Sequence, residues 1–207
     1  SCCFTISKVR EYTVEAGRAD TITEEKLIAI KENGGRRISI NPQTMNDNVL
    51  ETIGRSHTAE QVREAFSLAR KIGFDNINTD LIAGLPSDNY ESFKNTLDEV
   101  ISLDPESITV HTLTLKRASS LFKEADIVSD ENIAKMVSYS VERLCEKGYN
   151  PYYLYRQKNM AGNFENVGYS APDKACIYNI LIMEEKQTIV ACGAGTTTKV
   201  VFPKENR

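Results

Sequence analysis

Ile77-Asn78-Thr79-Asp80-Leu81-Ile82-Ala83-Gly84-Leu85-Pro86 is the stretch from which the fold can be read. Its first six residues suit a strand, and Gly84-Leu85-Pro86 then turns the chain toward a helix over residues 90–103. Upstream, Thr58 is placed to cap a helix in which Val62, Ala65, Phe66, Ala69 and Ile72 recur at three- and four-residue steps, and Gly73 closes it. Further back, Arg37-Ile38-Ser39-Ile40 reads as a strand stopped by Asn41-Pro42, because proline has no amide to give a ladder. Thr23 opens the helix before it, with Leu27, Ile28 and Ile30 on the apolar side and Gly34-Gly35 at its end. Tyr12-Thr13-Val14-Glu15 is a first strand, with Gly17 as its turn. Downstream, Asp104-Pro105 ends the 90–103 helix before a fourth strand at Ser107-Ile108-Thr109-Val110. A βαβαβαβ order with short connections predicts an α/β fold whose parallel sheet has right-handed crossovers. Sites on such sheets lie at the C-terminal ends of strands. That places attention on Glu15, Asn41 to Gln43, Asp80 to Gly84 and His111 to Thr114.

Composition narrows the function classes. The 207 residues are 41% hydrophobic and 26% charged, a globular balance that excludes a disordered chain, a collagen-like fibre or a disulfide miniprotein. With 29 acidic against 25 basic side chains the net charge is −4, so no basic field invites nucleic acid. No apolar run approaches the roughly 20 residues of a membrane span, and no signal-like start is visible, so a cytoplasmic protein is expected. The chain begins with Ser1 rather than Met, which suggests trimmed ends. Cysteines stand at 2, 3, 145, 176 and 192 without metal-ligand spacing, so no metal site is expected from this chain alone. Cys145, Cys176 and Cys192 read as small buried hydrophobes.

The last third differs, and a boundary near residue 125 divides four βα units (1–125) from a small α+β region (126–207). Asp130 caps a helix reaching about residue 147, with Ile133, Met136, Val137, Val141 and Leu144 as its stripe. Tyr149-Asn150-Pro151-Tyr152-Tyr153-Leu154-Tyr155 is an aromatic extended segment, residues 159–173 a polar loop, and residues 177–183 and 188–192 a hairpin around Glu184-Glu185-Lys186. The Tyr149, Tyr152, Tyr153, Tyr155 and Arg156 cluster reads either as a strand packed on the sheet or as a wall for a flat macrocycle, with Arg156 and Lys158 meeting propionates. Gly193-Ala194-Gly195 lacks the rest of a phosphate loop.

Glu15, Gln43, Asp80 and, past a short helix, Arg55 fall at or beyond strand ends, a ring of hydrogen-bonding groups suited to a polar ligand. The runs Arg37-Ile38-Ser39-Ile40-Asn41-Pro42-Gln43-Thr44-Met45, Ile53-Gly54-Arg55-Ser56-His57 and Asp80 to Pro86 resemble the radical S-adenosylmethionine enzymes, above all oxygen-independent coproporphyrinogen III oxidase and its relatives. Tyr12 to Arg18, Asn163 to Tyr169 and Gly193-Ala194-Gly195 are similar to other parts of that family, so the resemblance spans nearly the whole chain. It implies a partial TIM-like barrel. It also implies that Glu15, Gln43, Arg55 and Asp80 contact S-adenosylmethionine, with Ile82 and Thr114 beside its adenine. Carboxylates suit ribose hydroxyls or an amino group, and a guanidinium suits the methionine carboxylate. The family's Cys-x-x-x-Cys-x-x-Cys motif for a 4Fe-4S cluster and its glycine-rich motif are absent, and four of six barrel strands precede residue 115. The resemblance therefore implies a piece that begins near the third strand, leaving residues 12–15 as a sheet edge open to pairing with a second copy.

The activity implied is oxidative decarboxylation of coproporphyrinogen III, in which a radical derived from S-adenosylmethionine takes hydrogen from a propionate, carbon dioxide leaves and a vinyl group remains. A porphyrinogen would be the substrate, with Tyr152 and Arg156 as candidate contacts, and the electron acceptor is left open. The rival expectation is a haem-binding or haem-delivery relative that keeps the barrel without the oxidase reaction. An unrelated α/β binding domain is the third.

Overall fold

The computed structural model describes residues 8–113, 128–156 and 164–202. The chain runs β1 (Thr13–Gly17), a 3-10 turn (Ala19–Thr21), α1 (Glu24–Glu32), β2 (Arg37–Ile40), α2 (Asp47–Thr52), α3 (Ala59–Ile72), β3 (Ile77–Ala83), α4 (Tyr90–Ser102) and β4 (Ser107–Thr112). Beyond these lie α5 (Asp130–Glu146), β5 (Asn150–Tyr155), β6 (Asn166–Ser170) and α6 (Ile177–Met183). One six-stranded sheet in the order β1-β2-β3-β4-β6-β5 gathers every strand of the described residues. β1 to β4 are mutually parallel, while β6 runs antiparallel to both β4 and β5. The expected mixed α/β fold with a parallel sheet is present, as an open arc of a barrel among the described residues.

Caps set both ends of α3 as the sequence implies. Thr58 and Gln61 form a reciprocal capping box at the start of α3, and Gly73 ends it at φ +96°, a left-handed conformation that glycine adopts without a Cβ penalty. Asn46 and Asn89 cap α2 and α4 through side-chain oxygens, and α5 is capped by Ser129 rather than Asp130, since the Ser129 hydroxyl accepts from the Asn132 amide and Asp130 is already the first helical residue. The apolar face of the sheet carries Ile38, Ile40, Ile77, Leu81, Ile108 and Val110, all buried. Phe66 and Ala69 of α3, Phe93 and Leu97 of α4, and Ile133, Met136 and Leu144 of α5 pack into the same core.

Three expectations fail. Residues 177–183 form helix α6 rather than half a hairpin. A mostly apolar run of seven, interrupted by Asn179, fits either state by pattern, and the Glu11 carboxylate decides it by accepting from the Ile177 amide at 2.9 Å and the Cys176 thiol at 3.2 Å. The antiparallel bridge falls instead between Ile189 and Lys199. Residues 166–170, read as loop, are strand β6, wedged between β4 and β5. Asn, Gly and Ser are poor strand formers, yet Gly168 is required there because the Tyr153 ring lies across it: a Cβ would sit 1.8 Å from Tyr153 Cε1. Among the cysteines of the described residues only Cys176 is buried, while Cys145 and Cys192 are exposed. β6 and β5 also carry the sheet past residue 125 without a break in its ladder.

Gly168→Ala should therefore destabilise the fold by about 1–3 kcal/mol, the scale of core overpacking. Urea denaturation would show a lower midpoint, and adding Tyr153→Leu should restore part of the loss.

Candidate functional site

Side chains alternate faces along a strand, so the register fixes what lies opposite the apolar core. Glu15 pairs with Ser39, Ser39 with Asn78, Asn78 with Ser107, and Ser107 with Ser170. One rung up, Asp80 pairs with Thr109, Thr109 with Gly168 and Gly168 with Tyr153, and above them Ile82 pairs with His111. The inner face of the arc is thus a polar lattice. At its floor the Arg37 guanidinium is 2% exposed. It donates to Asn76 Oδ1 (2.7 Å), the Lys174 carbonyl (3.1 Å), Asn78 Oδ1 (3.2 Å) and Ser107 Oγ (2.7 Å).

Asn78 links this floor to the acids above, donating through Nδ2 to Asp80 Oδ1 at 2.9 Å. The other Asp80 oxygen stands 3.7 Å from His111 Nε2, whose Nδ1 is 3.3 Å from the Tyr155 hydroxyl. The Thr109 and Tyr153 hydroxyls share a 3.1 Å hydrogen bond, and burial pushes the Tyr153 phenol up. Tyr153 and Tyr155 stack nearly parallel, with ring centres 6.2 Å apart. Glu15 opens onto a cavity of about 490 Å³ bounded by Glu11, Thr13, Arg37, Ser39 and Asn78. Surrounding protein thins the water around its carboxyl and raises its pKa above the ordinary value. The Asp80 charge adds to that rise, while Ser39, Arg37 and Asn41 oppose it. Ser39 Oγ, Thr13 Oγ1 and Asn41 Oδ1 are buried without a protein partner, unspent capacity beside this acid.

Gln43 stands where β2 gives way to α2. Its φ is +71°, a left-handed conformation that costs a non-glycine residue about 1–2 kcal/mol. Its amide donates to the Asp80 carbonyl (3.1 Å), and its own carbonyl accepts from the Ile82 amide (3.0 Å), so it is bridged to β3 on both sides of Leu81. Arg55 follows α2, its amide closing that helix on the Leu50 carbonyl at 2.9 Å.

Of the residues named from sequence, Glu15, Asp80 and Ile82 share the inner face, with Gln43 joined to the last two through the backbone. Tyr152 lies at the irregularity in β5 where the register shifts, and its hydroxyl accepts from Asn179 Nδ2 at 3.0 Å. Arg156 pairs with Glu165 at 3.1 Å beyond the strand ends, both partners largely in solvent. Thr114 and Lys158 lie outside the described residues. Tyr153 belongs to the aromatic cluster named from sequence, whereas Arg37, Ser39, Asn78 and Thr109 were passed over. Their signal was a polar residue at every second position of each strand, as in Arg37/Ser39, Asn78/Asp80 and Ser107/Thr109/His111.

A model of the radical SAM superfamily matches residues 6–100. The oxygen-independent coproporphyrinogen-III oxidase-like protein HemZ of Bacillus subtilis (strain 168) is 49% identical over 199 residues, 95% of this chain and 40% of that protein. The heme chaperone HemW of the same strain is 39% identical over 110 residues, 53% of this chain and 29% of the chaperone. Among solved structures, the coproporphyrinogen III oxidase HemN from Escherichia coli has a TM-score of 0.65 at 23% identity. That match covers 84% of this chain and 38% of HemN, and it speaks for the fold. The chain thus spans two fifths or less of the length of these relatives.

The superfamily implies a 4Fe-4S cluster and S-adenosylmethionine. The described residues do not fit the cluster: Cys145, Cys176 and Cys192 lie on α5, before α6 and in the tail, and no three His, Cys, Asp or Glu among the described residues converge on a metal position. They do fit S-adenosylmethionine, since acceptors at Glu15 and Asp80 adjoin unpartnered hydroxyls on a polar wall.

The raised Glu15 pKa has a stability consequence. Between the ordinary carboxyl value and the folded one, the native state binds more protons than the unfolded chain, so stability falls as pH rises through that window. Glu15→Gln should therefore be more stable than the parent at pH 7. Urea melts at the two ends of the window should show that advantage vanishing once both states are protonated.

Proposed function

Because the chain belongs to the radical SAM superfamily, we propose that its polar inner face is the cofactor-holding part of an enzyme that decarboxylates a porphyrinogen oxidatively. The observation that carries this is the pairing of two acids, Glu15 and Asp80, on one polar wall beside the bridged Gln43 turn. The Glu15 and Asp80 carboxylates accept from ribose hydroxyls or the cofactor's amino group, because ionised carboxylates offer acceptors only. Arg55 donates its fork to the methionine carboxylate. Gln43 and Ile82 present the edge of the β2–β3 bridge to the adenine, where Thr114 of the following segment would also stand. In this superfamily S-adenosylmethionine supplies one-electron chemistry at carbon. The chain's own contribution is to bind it, orient it and keep water from it. The substrate is coproporphyrinogen III, with the Tyr152 side of β5 as a wall for the macrocycle and Arg156 meeting a propionate. The four-to-two division between residues 1–125 and 126–207 would then separate a cofactor part from a substrate-side part, with both working in the cytoplasm.

A second reading rests on the 39% identity to a heme chaperone: the same wall would serve a haem-binding protein without turnover. The two readings part on one assay. A protein carrying this chain that consumes coproporphyrinogen III and releases carbon dioxide is the oxidase, and one that binds haem without that turnover is the chaperone.

For the cofactor contacts, Arg55→Ala should weaken S-adenosylmethionine binding by about 1.5–3 kcal/mol, the scale of hydrogen bonds to a charged group. Calorimetric titration checks it, and equal affinities would remove Arg55 from the site.

A further inference from the structure

His57 takes no part in the wall just described, yet it is 2% exposed and lies between its parts. Its Nε2 is 3.1 Å from the carbonyl oxygen of Pro42, the residue immediately before Gln43. A carbonyl only accepts, so the proton sits on Nε2 and the ring donates. Nδ1 is buried without a partner, so this one bond is what the imidazole gains for its desolvation.

The bond lies at a sensitive place. The Pro42–Gln43 peptide plane and the left-handed φ of Gln43 are linked: rotating that plane would let Gln43 relax to an ordinary conformation. The same rotation would pull its amide from the Asp80 carbonyl and loosen the turn whose next carbonyl, that of Gln43, accepts from the Ile82 amide. Two bonds to β3 hold the Gln43 side of the turn, and His57 holds the Pro42 side. His57 is also two residues from Arg55 and one before Thr58, the fixed cap of α3. A single imidazole thus joins the turn carrying Gln43 to the loop carrying Arg55.

We propose that His57 is a positioning residue for the cofactor site, holding the Pro42 carbonyl so that Gln43 and Arg55 stay in register for S-adenosylmethionine. The assignment rests on the cofactor reading above. It differs from a packing role, which needs the ring's volume but not its N–H.

The test compares His57→Leu, which keeps bulk and removes the donor, with His57→Gln, whose amide nitrogen reaches about as far as Nε2. Each 207-residue chain is titrated with S-adenosylmethionine by calorimetry. Hydrogen exchange at the Gln43 and Ile82 amides is followed by NMR. His57→Leu should raise the Kd at least about fivefold, the scale of one lost net hydrogen bond, and speed exchange at both amides. His57→Gln should recover both. If His57→Leu does not fold, His57→Asn, whose amide falls short of the Pro42 carbonyl, takes its place. Unchanged affinity and exchange in a folded donor-free variant would overturn the proposal, as would a Gln variant no better than Leu. If the parent chain fails to bind S-adenosylmethionine, the cofactor reading falls, while the exchange measurement still decides whether His57 holds the turn.

Discussion

A buried guanidinium must find hydrogen-bond acceptors, and the way Arg37 finds them organises the inner half of this protein. Its four partners come from the turn before β3, β3 itself, β4 and the segment before α6. Losing an acceptor would leave a donor of a charged group stranded away from water, at a cost of about 1–3 kcal/mol or more. The relative heights of β2, β3 and β4 are therefore tied to one side chain, in addition to the backbone ladder. Those four partners are neutral, so peptide and hydroxyl dipoles solvate the charge and its field remains to act on the acids above. Its positive charge favours ionisation of Glu15 against the desolvation that opposes it. A positive floor beneath two carboxylates keeps such a wall from being repelled by its own charge.

Much of the architecture could be read from local chemistry. The Thr58 cap, the three- and four-residue apolar steps of α3 and the terminal Gly73 describe one helix without any tertiary information. Strands β2 and β3 declare themselves by short β-branched runs between breakers. What escaped notice depended on distant partners. β6 is a strand because β4 and β5 flank it and because Tyr153 occupies the space above Gly168, none of which the words Asn-Val-Gly-Tyr-Ser contain. α6 is a helix because Glu11, more than a hundred and sixty residues away in sequence, caps its first amides. For the site, the strand-end rule found Glu15, Gln43 and Asp80 but could not find Arg37, Ser39 or Asn78, which lie within strands and are functional neighbours only through the inner face.

That inner face also explains why family and activity separate so cleanly here. Under the proposed reading a wall of carboxylates, hydroxyls and amides would handle a polar, amino-acid-bearing nucleoside, and the βα framework around it is what the superfamily shares. It says little about a second molecule, which under the proposed reading would meet residues at the rim, where Arg156 and Glu165 stand in solvent. Folds carry many reactions because these two tasks fall on different parts of the chain. Relatives named as an oxidase-like protein and as a chaperone can then both resemble this chain, the first over 199 residues and the second over 110.

Floor and mouth are also built on opposite principles. Around Arg37 the floor is closely bonded: Arg37, Asn78 and Ser107 exchange hydrogen bonds among themselves and leave the backbone in ordinary conformations. The mouth carries a left-handed non-glycine residue at Gln43, another at Ser87, and a buried Asp88 whose carboxyl is held above its usual pKa by desolvation and keeps one oxygen unpartnered. Strain of this kind persists only where surrounding bonds over-determine the geometry. At Gln43 those bonds are the two to β3 and the one from His57. A turn held from both sides can present fixed donors and acceptors to a ligand without reorganising on binding, and that is what a cofactor site at the end of a parallel strand requires.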